Sequence, residues 1–276
     1  MISLILAIVS SMLITVIMRV SETRRRNPTV MLAMNYFTCC VCSWLTAGMP
    51  ALFPAQEGLP MAMGLGVIAG VLFLLGFVLL QWNLTRNGVV LPATFQKLGV
   101  IVPTVMAIVF FGETPRLMQV IGIALTIAAI ILMQGKSGER GSLGGLIALL
   151  LAGGLADGMS KIYAQFGPAG LEDHYLLYTF FVALVLCALL CVKRGEKLTL
   201  RDALWGVAVG VPNYFSALFL LRAMTTVPAV VAYPTFSVGT IILVAAVSAV
   251  VFRERLSRRK LLCLAMILVA LVLLNV

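Results

Sequence analysis

Residues 88–113 read GVVLPATFQKLGVIVPTVMAIVFFGE, and a related stretch, VVAYPTFSVGTIILVAAVSAVVFRE, recurs at 230–254. Each is long and apolar enough to cross a bilayer core, which takes about 20 residues of helix. The first holds Lys97 well inside, prolines at 92 and 103, and a glutamate, Glu113, at its end. The second ends on Glu254 and carries no charge within its span. A duplicated apolar segment of this kind sets the fold class, and the rest of the chain is read outward from it.

Hydrophobic residues make up 62% of the 276 and charged residues 11%, with a mean hydropathy of +1.10. Soluble domains are nearer half apolar and a quarter charged, so this chain is built for lipid. Its length leaves room for about ten spans with short connections. The apolar runs place them at 1–18, 28–49, 61–82, 88–111, 117–134, 143–165, 174–192, 203–221, 226–252 and 260–275. Helices are the expected form, because each satisfies its own backbone hydrogen bonds in hydrocarbon. The first run lacks a basic leader and is read as a retained helix.

The net charge of +10 does not point to nucleic acid, since the basic residues sit in short loops and form no contiguous face. Of the 20 Lys and Arg, Lys97 is inside a span, Arg116, Lys161 and Arg222 fall on one side, and the others fall on the opposite side. The positive-inside rule puts the rich side in the cytoplasm and both termini outside, in a multi-pass plasma membrane, for a bacterium the inner one. The six cysteines all lie in apolar segments without paired metal spacing. They read as packing residues, and neither a metal nor a cofactor is expected.

Gly66, Gly70, Leu80 and Thr85 match Gly206, Gly210, Leu220 and Thr225 at a shift of 140. Pro92 matches Pro234 at 142, and Phe111 and Glu113 match Phe252 and Glu254 at 141. The chain therefore divides into a repeat at 1–134, a cytoplasmic connection at 135–142 and a second repeat at 143–276. With five helices each, an odd number, the second copy is inverted. Inverted repeats are a transporter architecture with the substrate site near the midplane.

The carriers LPATFQKLGVIVPTVMAIVFFGETPRLMQVIGIALTIAAIILM and YPTFSVGTIILVAAVSAVVFRERLSRRKLLCLAMILVALVLL resemble the EamA-type drug/metabolite transporter superfamily. The resemblance is strongest over 66–134 and 206–275. It implies a ten-helix bundle with a central cavity and secondary, alternating-access transport.

Within that frame the intramembrane charges are the leading site residues. Lys97 lies about 14 Å from the cytoplasmic interface and Asp157 about 21 Å, at 1.5 Å per residue. The two are a possible pair, although Lys161 stands one turn from Asp157 on the same helix face and is a simpler partner. An unpaired, buried Asp157 would have a raised pKa and allow proton coupling. Gln96, Asn35, Tyr36, Asn213, Tyr214, Tyr233, Phe236 and Trp82 are candidates for the cavity wall, Trp82 also suiting an interfacial belt. Glu113 and Glu254 are expected to pair with neighbouring arginines, Arg116 and Arg253 or Arg255.

The partners implied are a small polar or amphipathic solute, membrane lipid and a proton, with the protein a monomer or homodimer. No ATP-binding GxxxxGK[ST] motif occurs. Two other classes fit less well. A membrane-embedded enzyme on a lipid-linked substrate would have to build on the lone His174 without a nucleophile–base set. A facilitative channel would need a charged ring or carbonyl filter.

Overall fold

The computed structural model describes residues 1–22, 27–49, 52–87, 92, 95–96, 98–134, 143–250 and 258–274. These residues form ten helices: α1 (Ile2–Glu22), α2 (Pro28–Thr46), α3 (Leu59–Asn87), α4 (Ile101–Phe111), α5 (Leu117–Gln134), α6 (Leu143–Phe166), α7 (Glu172–Arg194), α8 (Leu200–Met224), α9 (Ala229–Val250) and α10 (Arg258–Leu274). Among the described residues six stretches are long and apolar enough to cross a membrane: Pro28–Thr46, Leu59–Asn83, Leu143–Phe166, Glu172–Arg194, Leu200–Met224 and Ala229–Val247. Ile2–Met18, Ile101–Phe111 and Leu117–Ala129 are shorter apolar helices. Large apolar side chains such as Phe110, Phe181 and Leu189 stand exposed, as lipid-facing surface requires.

Local chemistry sets the helix ends. Asn27 caps α2, its side chain accepting from the N–H groups of Thr29 at 3.0 Å and Val30 at 3.3 Å, with Pro28 in the first turn. At the start of α8 the Thr199 hydroxyl accepts the Asp202 N–H at 3.2 Å and donates to the Asp202 carboxylate at 2.6 Å, a side-chain cap on the first turn. α7 opens on Glu172 and Asp173 and closes on Lys193 and Arg194 before the left-handed Gly195, charges that suit its dipole.

One expected span differs. The run over 88–111 is not a single helix through its described part, because Gly99 and Val100 form a turn before α4 begins. The cause is Pro103, which has no N–H to offer the carbonyl of Gly99. Val102 N–H takes that carbonyl instead, at 3.0 Å.

The chain packs as two compact units, and each draws helices from both repeats. The first unit joins Ile2–Leu74 to Ile162–Arg222; the second joins Leu75–Lys161 to Ala223–Val276 and Met1. In the first, α2 packs along α7. α3 lies on α7 through Gly66 and Gly70, and α8 lies on α2 through Gly206 and Gly210.

These two contacts are copies of one another. A Cβ on Gly66 would meet Tyr178 Cβ at 2.8 Å, Tyr175 O at 3.1 Å and Thr179 N at 3.2 Å. On Gly206 it would meet Met34 Cβ at 2.5 Å, Met31 O at 2.6 Å and Asn35 N at 3.2 Å. Gly70 faces Thr179 O and Val182 Cβ, and Gly210 faces Asn35 O and Thr38 Cβ. A shift of 140 carries the glycines onto each other, and a shift of 144 carries every partner atom onto its counterpart. Each repeat thus lays its third helix on the second helix of the other, a reciprocal exchange that only a local pseudo-two-fold relation produces.

In the second unit α5 packs along α10, with Gly122 against the carbonyl of Ala270, and α9 contacts α4, α5 and α10. α6 approaches the chain before α4 through Gly154, whose added Cβ would stand 2.5 Å from Gly99 O. Gly158 repeats the approach one turn later, beside Pro103 and Met106. Gly99 with Gly154 and Pro103 with Gly158 share an offset of 55, so the two segments run parallel.

Candidate functional site

The parallel register fixes heights along α6. Asp157 is level with residue 102 at the start of α4, and Gln96 precedes the Gly99–Val100 turn. Both Asp157 and Gln96 are exposed. Tyr233 of α9, itself buried, donates its hydroxyl to the backbone carbonyl of Asp157 at 2.9 Å. That bond fixes α9 against α6 through the Asp157 backbone. Phe236, half-buried, follows three residues later on α9. Lys97 lies outside the described residues, so its pairing with Asp157 has no structural account here.

Trp82 does not belong with Asp157. It packs against Gly145, a dozen residues earlier on α6, about 18 Å away along the axis. The Arg86 guanidinium stands 4.3 Å from its ring centroid. Beside it Asn83 is fully buried and donates to the carbonyls of Leu79 at 2.8 Å and Gly145 at 2.9 Å.

The four remaining predicted residues form one cluster in the first unit. Asn213 of α8 donates to Asn35 of α2 at 3.1 Å, beside Cys39, whose thiol donates to Gly210 O at 3.3 Å. Tyr36 stacks on Phe180 with ring centroids 6.4 Å apart, and Phe180 meets Tyr214 edge-on at the same distance. The Tyr214 hydroxyl bonds to Thr46 Oγ1. Asn35, Tyr36 and Tyr214 are buried; the Asn35 amide and the Tyr214 hydroxyl bond across helices, and the Tyr36 ring packs on Phe180.

The expectations for Glu113 and Lys161 need correction. Glu113 pairs with neither Arg116 nor a residue of its own helix. Its Oε1 lies 2.8 Å from Lys161 Nζ on α6, with side-chain exposures of only 14% and 12%. Its Oε2 accepts the Val230 N–H of α9 at 2.9 Å, capping that helix from the other repeat. The FFGE sequence makes this possible. Gly112 adopts φ +65, and Glu113 N–H returns to Ala107 O at 3.1 Å, so the next side chain leaves the helix end in a fixed direction. The Lys161 ammonium also lies 5.5 Å from the centroid of the Phe111 ring.

Burial pushes the Glu113 carboxyl up, but the hydrogen bond from Lys161, those from the Val230 and Ala229 N–H groups and the ammonium charge outweigh it. The net effect holds the carboxyl below its ordinary value. A cavity of about 710 Å³ opens beside the pair, with Glu113, Thr114, Arg116, Gln119 and Val230 among its walls. Sequence reasoning missed this site because its partners are far apart in the chain. The available signals were the glycine before the glutamate and a lone lysine on the poorly charged side.

The profile of the EamA-like transporter family matches residues 1–134 and 140–276. An uncharacterized protein of Haemophilus influenzae is 26% identical over 273 residues, covering 93% of this chain and 91% of the relative. A solved crystal structure superposes with a TM-score of 0.77 at 15% identity, covering 99% of this chain and 94% of that one, a likeness of fold. The chain belongs to the EamA-like transporter family, membrane transporters of the drug/metabolite superfamily.

Proposed function

We propose that the protein is a secondary active transporter that exports a small polar or amphipathic metabolite across the bacterial inner membrane by alternating access. Its repeats, 1–134 and 143–276, are read as inverted five-span halves with both termini outside. The observation that carries the reading is the reciprocal glycine packing. Gly66 and Gly70 on α7, and Gly206 and Gly210 on α2, make the same contact twice. Two near-equivalent halves can exchange conformations at low cost, which is the physical basis of opening first to one side and then to the other.

The residues assigned to the solute are Asp157 and Gln96, with Lys97, Tyr233 and Phe236. Asp157 and Gln96 present exposed polar groups on apolar helices, which pays only where water or solute reaches them.

Purified protein in proteoliposomes, without nucleotide, tests the proposal. Vesicles loaded with a panel of amino acids, organic acids and amines should accumulate at least one labelled solute by counterflow. Chemical conversion of a lipid-linked substrate without any counterflow would support an enzyme and defeat the proposal.

A further inference from the structure

Glu113 ties three elements together: the connection after α4 that carries it, α6 through Lys161, and the first turn of α9 through Val230. Its ion pair requires an ionised carboxylate, and its bond from the Val230 N–H is stronger with one. A protonated one can neither pair with the ammonium nor stabilise the amino end of α9 as well. The carboxylate also borders the 710 Å³ cavity, so a proton has a route to it. We propose that Glu113 is a proton-linked latch: ionised, it holds the first turn of α9 to α6, and protonated, it releases that turn.

Among the described residues the charged groups around it are few. Lys161 faces it from α6, Arg116 follows on its own connection, and Met1 lines the same cavity. From α9 it meets backbone N–H groups. Protonation is thus a contest for one carboxylate between a proton and Lys161 with the α9 amides. Opening removes the partners that favour the ionised form, so relative to the closed state it favours the neutral acid: opening takes up a proton and closing returns it. The consequence for coupling rests on the transport reading, but the latch itself does not.

Val231, buried within the capped first turn and lining the cavity, reports on release. Val231→Cys in the full chain is labelled with a membrane-impermeant maleimide over a pH series, in the native background and with Glu113→Gln. Taking the ratio of the two rates cancels the thiol's own pH dependence. At neutral pH, labelling should be about tenfold slower with Glu113 present, and the two rates should converge in acid. Equal rates at neutral pH, or a ratio constant with pH, overturn the latch. If Glu113→Gln does not give monodisperse protein, Lys161→Gln is used. It should move the onset of labelling towards neutral pH, and an unmoved onset overturns the proposal. No transport is read, so this result stands or falls apart from the transport assay.

Discussion

Glu113 and Lys161 lie 2.8 Å apart, nearly buried, although they belong to different repeats and the sequence offered Arg116 for the one and Asp157 for the other. Their pairing converts a glutamate at a helix end into the cap of α9. Replacing Glu113 with Gln should lower the melting temperature in detergent at neutral pH. The loss should be about 2 kcal/mol, the scale of hydrogen bonds to a charged group.

The same pair sets a direction with pH. A carboxyl held below its ordinary value contributes stability above the ordinary glutamate range and loses it as pH falls through the depressed value. Thermal melts should therefore fall in acid for the native chain and flatten for Glu113→Gln. Parallel curves would argue that other carboxylates dominate.

The glycine contacts predict asymmetric tolerance to one methyl group. Gly70→Ala would drive a Cβ to 2.6 Å from Thr179 O, and Gly206→Ala to 2.6 Å from Met31 O. Each should cost about 1–3 kcal/mol, the usual range for overpacking. Gly64→Ala, with nothing within 4 Å, should be neutral or stabilising by up to about 1 kcal/mol. Melting curves of the three variants, compared side by side, check the packing directly.

Asn35 and Asn213 should be coupled. A double-mutant cycle to Ala is expected to return about 0.6–1.7 kcal/mol, the range for interhelical hydrogen bonds in membranes. Additive effects would mean that the 3.1 Å bond contributes nothing beyond packing.

Much of the helix plan was legible because apolar runs long enough to span a bilayer are bounded by glycine, proline and charge. The sequence expectation for α5 over 117–134 coincides with Leu117–Gln134, and that for α6 ends within a residue of Phe166. Two kinds of feature were not legible. The turn at Gly99–Val100 depends on how one missing N–H at Pro103 is resolved, which hydropathy does not sense. Partnerships across the repeats, such as Glu113 with Lys161, depend on which helices meet, and sequence proximity favoured Arg116 instead. Asn35 and Tyr36 were expected on a cavity wall, and the neighbours the structure gives them are protein side chains.

The central claim, a site at the height of Asp157 reached alternately from either side, is tested most directly at Gly153. It lies one turn before Asp157 on the same face of α6, and an added side chain there meets nothing within 4 Å. Gly153→Cys in sealed vesicles, probed with an impermeant thiol reagent from each side in turn, should be labelled from both. The transported solute should change the two rates in opposite directions. Labelling from neither side, or equal and simultaneous access from both that no solute alters, would contradict the account.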